Sequence, residues 1–191
     1  MEVNDLFEFY REQYKLELDT KQEITSKAQL VLGALVAVGG LFVYMAKSFT
    51  LLITAKSILT AVILIIALLI LSVGTCFVLK SFWGHEYSYI PTIGDFEKRR
   101  MYLRSHGLKE TSILKNLSNI ILQELAECCD ENSAVNNARN HVLNIGIRIV
   151  SCGCLLLLLG GSFFVFFDLD ESSPRQPISV KIVDEHSGTE K

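Results

Sequence analysis

Apolar and polar positions fall into long blocks along this chain. Three stretches contain no charged residue: Ala28 to Ala46 between Lys27 and Lys47, Ser57 to Leu79 between Lys56 and Lys80, and Ile149 to Phe167 between Arg148 and Asp168. They hold 19, 23 and 19 residues. At about 1.5 Å per residue each reaches roughly 28 to 35 Å, the thickness of a bilayer's hydrocarbon core. The pattern predicts an all-α integral membrane protein with three transmembrane helices and a cytosolic helical layer. Residues 1–27 read as a cytosolic amphipathic helix. Residues 28–80 read as a transmembrane hairpin with spans 28–46 and 57–79. A cytosolic helical segment (81–148), a third span (149–167) and a polar tail (168–191) complete the chain.

Within the first segment Phe7, Tyr10, Tyr14 and Leu18 repeat at helical spacing and form one stripe. No proline or glycine precedes Gly33, so this helix is expected to run unbroken into the first span. Its aromatic stripe needs a cover: the same chain, a second copy, or the headgroup region. Gly33, Ala37 and Gly40 follow at i, i+4 and i+7, a small-residue stripe suited to close helix approach in lipid. The second span is dominated by Leu, Ile and Val and reads as lipid-facing around much of its girth. Between them, Ser48 to Ala55 forms a tight outer turn. In the third span Gly146, Gly153 and Gly160 are spaced by seven and fall on one face, again as packing or oligomer contacts.

From Thr111 one long helix is expected. Leu114, Leu117, Ile121, Leu125 and Cys128 recur at threes and fours. Then Asn132, Asn136, Asn140 and Asn144 recur every fourth residue, and Arg148 continues the series. Asparagine is a poor helix former, so the run asks for a reason. One reading is a hydrogen-bonding ladder between helices that lines a wet vestibule; the other is an ordinary solvated face. Arg148 reads as a snorkelling anchor. Upstream, Phe82, Trp83, Tyr87 and Tyr89 read as an aromatic belt. Lys98, Arg99, Arg100 and Arg104 form a basic cluster in a short helix that Gly107 ends. The cluster reads as a topology determinant and lipid contact, or as a grip on an anionic ligand.

Charge sets the expected orientation. Of the 18 basic residues, 13 lie in 1–27 and 80–148, and 5 lie in 47–56 and 168–191. The positive-inside rule therefore places the N-terminus and the long helix in the cytoplasm and the C-terminus outside. The first 27 residues hold seven acidic side chains, and the first apolar run is too long for the core of a cleavable signal peptide. Cys76, Cys128, Cys129, Cys152 and Cys154 read as small buried hydrophobes rather than a disulfide framework. The four histidines are scattered. No catalytic constellation, metal spacing or charge in mid-span is evident, so no enzyme activity, cofactor, metal or direct nucleic-acid contact is expected. The expected partners are the bilayer and a second copy of the chain.

One arrangement is familiar. A helix carrying Glu8-Phe9-Tyr10-Arg11-Glu12 and then Asp19-Thr20-Lys21 leads into a spanning hairpin. The stretch Tyr87-Ser88-Tyr89-Ile90-Pro91 and a long Asn-repeated helix entering a last span follow. This resembles small bacterial multi-span membrane proteins of unassigned function and, more loosely, the antiphage transmembrane effectors of the SLATT and Pycsar types. Those families commonly have two or four spans, where three are expected here. The resemblance implies a homo-oligomer in the inner membrane that perturbs or forms pores in it when a cytosolic protein or nucleotide signal arrives. The alternative is a non-channel adaptor that anchors a cytosolic partner. For the topology itself, a reporter active only outside the membrane is expected to work when fused after Glu190 and to be silent after Glu110. The reverse pattern overturns the orientation.

Overall fold

The computed structural model describes residues 3–49 and 54–170. Four helices follow in order: α1 (Val3–Ser48), α2 (Ala55–Lys80), α3 (Ile93–Ser105) and α4 (Glu110–Phe166). Residues 171–191 of the polar tail and the middle of the 48–55 turn lie outside the described residues. α1 is continuous over 46 residues, as the absence of an early helix breaker predicts. α1, α2 and α4 are each long and apolar enough to cross a membrane.

The fold is organised by the seam between α2 and α4. The buried positions of α2 are Ser57, Thr60, Leu64, Ala67, Leu71, Gly74 and Val78. Those of the apolar half of α4 are Leu143, Gly146, Val150, Gly153, Leu157, Gly160 and Phe164. Both series alternate steps of three and four. That is the 3.5-residue period that keeps one face of each helix on its partner. Large residues on one side meet glycine on the other. A Cβ built on Gly153 would lie 2.8 Å from Leu71 Cγ, and one on Gly160 would lie 2.8 Å from Leu64 Cδ2. On Gly146 it would lie 3.0 Å from both Val78 Cγ2 and the Val78 backbone nitrogen. The exchange is reciprocal, since a Cβ on Gly74 would lie 2.7 Å from Val150 Cγ2. The seven-residue spacing of these α4 glycines thus answers an equal spacing of Leu64, Leu71 and Val78 on α2. The outward side of α2 stays bare: Ile58, Leu59, Val62, Ile65, Ile66, Leu69 and Val73 are all exposed.

α1 packs mainly on α4 and touches α2 little. Only 11% of its most apolar window is buried, against 28% for α2 and for α4, so α1 lies at the margin of the bundle. Its inward face is Ile24, Ala28, Val31, Leu35, Val38, Phe42 and Met45. The far end is pinned to α4. Phe49 pairs with Asp170 in an isolated antiparallel bridge, its ring stacks on Phe164 at 6.0 Å between centroids, and Tyr44 Oη donates to Asp170 Oδ2 at 3.3 Å. α4 stops through a left-handed Asp168 (φ 54). Asp168 N–H bonds the Val165 carbonyl at 3.2 Å and Leu169 N–H bonds that of Phe164 at 3.0 Å. This is the paired closure of a Schellman motif, completed by burial of Leu169 against the core.

Gly153→Leu is expected to force the seam apart, because Leu71 already occupies the space its side chain needs; overpacking of this kind costs about 1–3 kcal/mol or more. Gly40→Leu on α1, where nothing lies within 4 Å, is expected to leave single-chain stability within about 0.5 kcal/mol. Thermal melting in mild detergent, followed by circular dichroism, compares the two. Equal melting points would contradict the seam.

Candidate functional site

Beyond the apolar seam, the buried face of α4 turns polar. The series Leu143, Arg139, Asn136, Asn132, Cys128, Leu125 is buried, and between Cys128 and Asn136 the spacing changes to two successive fours. That shift rotates the inward face and brings it onto the segment joining α2 to α3. Arg139 is 4% exposed, Asn136 3% and Asn132 0%. Three polar side chains at such depth require partners, and each finds them.

Arg139 has the fork geometry to bind several acceptors at once. Its Nε donates to the Ser81 carbonyl at 2.9 Å, just past the C-terminus of α2. One terminal nitrogen donates to Tyr87 Oη at 2.5 Å and the other to Thr25 Oγ1 on α1 at 3.1 Å. A single side chain thus ties α1, α2 and the connecting segment to α4. A cation suits the negative end of the α2 dipole, and Ser81, itself fully buried, returns its hydroxyl to the Val78 carbonyl at 2.7 Å. Arg139 makes no ion pair among the described residues. The nearest compensation is relayed. Tyr87 Oη donates to Asn136 Oδ1 at 2.7 Å, and Asn136 Nδ2 donates to Glu17 Oε2 and to the Glu17 carbonyl, both at 2.8 Å. Arginine, tyrosine, asparagine and glutamate therefore form one polarised chain with a cation at one end and a carboxylate at the other.

Asn132 holds the connecting segment in another way. Its Oδ1 accepts from Ser88 N–H and its Nδ2 donates to the Ser88 carbonyl, both at 2.9 Å. The carboxamide behaves as a peptide unit of a neighbouring strand, and a side chain with donor and acceptor side by side is needed for that. Ser88 Oγ also bonds Glu131 Oε2. Lys21 of α1 closes the group: its Nζ donates to Tyr89 Oη at 2.8 Å and sits 4.3 Å above the Tyr87 ring, a cation–π contact.

The remaining candidates fall elsewhere. Asn140 and Asn144 bond each other at 3.3 Å on an exposed face, where Arg148 also lies. The four-residue series therefore divides: its first two members are structural partners and its last two are solvated. Gly33, Ala37 and Gly40 are exposed, whereas Gly146, Gly153 and Gly160 are consumed by α2 within the same chain. The basic cluster is largely neutralised. Arg100 and Arg104 both bond Glu110, at 2.5 and 3.0 Å, and Lys98 pairs with Asp95 at 3.3 Å. Hydrogen bonds from Arg100 and Arg104 hold the Glu110 carboxyl below the usual range. Only Arg99 of the four lacks an ion pair among the described residues. Tyr87, read as part of an aromatic belt, turns inward to the network, whereas Trp83 and Tyr89 stay exposed. α1 approaches α4 along this stretch: the Cys129 thiol donates to the Tyr10 backbone carbonyl at 3.8 Å. Burial pushes the thiols of Cys128 and Cys129 up, with nearby carboxylates adding to it, so neither is an activated nucleophile.

Sequence reasoning passed over Arg139, Glu17 and Thr25, took Tyr87 for an aromatic belt and gave Ser88 no bonding role. The available signal was register: Arg139 sits at a three–four step from Asn136 and Leu143, a charge on the packing stripe itself. Comparison with protein-family models, curated proteins and solved structures returns no match.

Tyr87→Phe removes the hydroxyl that accepts from Arg139 and donates to Asn136, and leaves both short of a partner. A loss of about 1–3 kcal/mol is expected. Asn136→Leu should cost a similar amount, and Asn140→Leu less than about 0.5 kcal/mol. Melting of the three variants in detergent checks this; a solvated ladder would show three equal, near-zero shifts.

Proposed function

We propose that this chain is a multi-pass membrane protein that self-associates through the outer face of α1, and that the assembly perturbs or opens the bilayer under control of the cytosolic helices. The observation that carries the reading is the unequal use of small residues. Gly74, Gly146, Gly153 and Gly160 each accommodate a side chain of the same molecule, whereas Gly33, Gly39 and Gly40 have nothing within 4 Å. Of these, Gly33 and Gly40 share one face with Ala37 and leave a small-residue stripe along the least buried of the three span-length helices. In lipid, close backbone approach is a main source of helix association, and a second α1 supplies a matching surface. The excess of basic residues in 1–27 and 80–148 supports a cytoplasmic N-terminus and an outside C-terminus. A bacterial inner-membrane location and a defence role rest on the resemblance of layout alone.

A second reading, an adaptor that anchors a cytosolic partner, draws on α3. This helix buries none of its residues. Ile93, Met101 and Tyr102 are 83%, 61% and 61% exposed, which is unusual for a helix with no cover.

Overexpression with a potential-sensitive dye separates the readings. Wild-type chain is expected to depolarise cells and to cross-link as an oligomer, and Gly40→Leu to lose both while still inserting. Cross-linked oligomers in fully polarised cells would leave the adaptor reading standing. An unchanged oligomer in Gly40→Leu would remove α1 as the interface.

A further inference from the structure

One cleft beside the polar junction is built for a ligand of a definite charge. Leu18, Lys21, Gln22 and Thr25 of α1 face Tyr89 across a space of about 370 Å³. Its polar lining offers hydrogen-bond donors. Lys21 Nζ uses one proton on Tyr89 Oη and rests on the Tyr87 ring, so an ammonium proton remains. Because Tyr89 Oη accepts from Lys21, its own proton is left to donate. The Gln22 amide makes no hydrogen bond among the described residues. Thr25 Oγ1 already donates to the Lys21 carbonyl at 2.9 Å and accepts from Arg139. No carboxylate lines the space. Glu17 is engaged by Asn136, and Glu23 by Lys27 at 2.6 Å. Neither Lys21 nor the buried Arg139 behind Thr25 has an ion pair among the described residues. Lys21 is the charged side chain of the lining.

The position is equally specific. Thr25 precedes the first apolar run by three residues. Leu18, Gln22 and Thr25 continue at helical spacing through Gln29 to Leu32, Val36 and Gly39. Those last three line an apolar groove of about 310 Å³ between α1 and α2, with Leu68, Leu71 and Thr75 opposite. From Thr25 to Gly39 is about 21 Å at 1.5 Å per residue, more than half of a hydrocarbon core of roughly 30 Å. The groove begins at Leu32, about 10 Å along α1 from Thr25, so the donor-lined cleft stands above an apolar groove on the same helix stripe.

We propose that this cleft binds a phosphate group, donated to by Lys21, Gln22 and Tyr89. The groove below favours an anionic phospholipid as its carrier over a soluble phosphate. The lipid source rests on the membrane reading above and the phosphate chemistry does not; flotation of wild-type chain with liposomes tests insertion separately.

The test is thermal melting of full-length protein in micelles with phosphatidylglycerol, phosphatidylcholine or inorganic phosphate added. Phosphatidylglycerol at saturation is expected to raise the wild-type Tm by about 4–8 °C beyond phosphatidylcholine. The excess should vanish in Lys21→Gln, shrink in Tyr89→Phe, and persist in Lys21→Arg and in Lys98→Gln. A rise with inorganic phosphate that Lys21→Gln abolishes also supports the site, with a soluble carrier. Should Lys21→Gln fail to fold, Gln22→Leu with Tyr89→Phe carries the same comparison. The proposal is overturned by a wild type that responds to neither anion, or by a response that survives in the Lys21 and Tyr89 variants.

Discussion

Close contact between α2 and α4 is the constraint from which the rest follows. Helices that are apolar on every side find no preferred partner face from apolarity alone, so contact is set by where their surfaces fit. Here fit means that a glycine on one helix receives a leucine or valine from the other, at Gly146, Gly153, Gly160 and Gly74. The arrangement fixes register as well as distance. Sliding α4 by three residues would set Leu157 against Leu64 and Val150 against Leu71 and separate the helices. With the register fixed, Ser81 at the end of α2 falls level with Arg139, and the polar junction has its first bond.

The junction then solves a problem that the seam creates. α2 ends abruptly, and the chain continues through an extended segment that cannot satisfy its own backbone. Asn132 answers for Ser88, Arg139 for Ser81, and the Tyr87 hydroxyl bridges Arg139 to Asn136. No buried polar side-chain atom among the described residues is left without a partner. A fully satisfied network in a low-dielectric setting is stiff, and removing any member strands the others. The exposed ion pairs of α3 and of the α1 surface are minor by comparison.

Much of this architecture could be read from residue patterns. The charge-free blocks foretell three span-length helices, the lack of an early breaker foretells a continuous α1, and the seven-residue glycine spacing foretells a packed face on α4. The glycines of α1 look the same in sequence yet point outward. A stripe of small residues says that something can approach, and not which helix does. The asparagine series misleads for a related reason. Steps of four drift around a helix by about 40° each, so Asn132 and Asn136 face inward while Asn140 and Asn144 have rotated out. Tyr87 and Ser88 carry no periodic signal at all. Their role depends on where an extended segment lies in space, which only the tertiary fold decides.

The length of α4 has a mechanical consequence. About 29 residues precede Arg139 and about 27 follow it within the one helix, or roughly 40 Å on either side. Arg139, bonded to three other elements near the midpoint, divides arms of nearly equal length. The later arm is clamped to α2 along the whole seam. A tilt about that point would therefore move the earlier arm, which ends at Glu110 beside α3, and leave the seam in place.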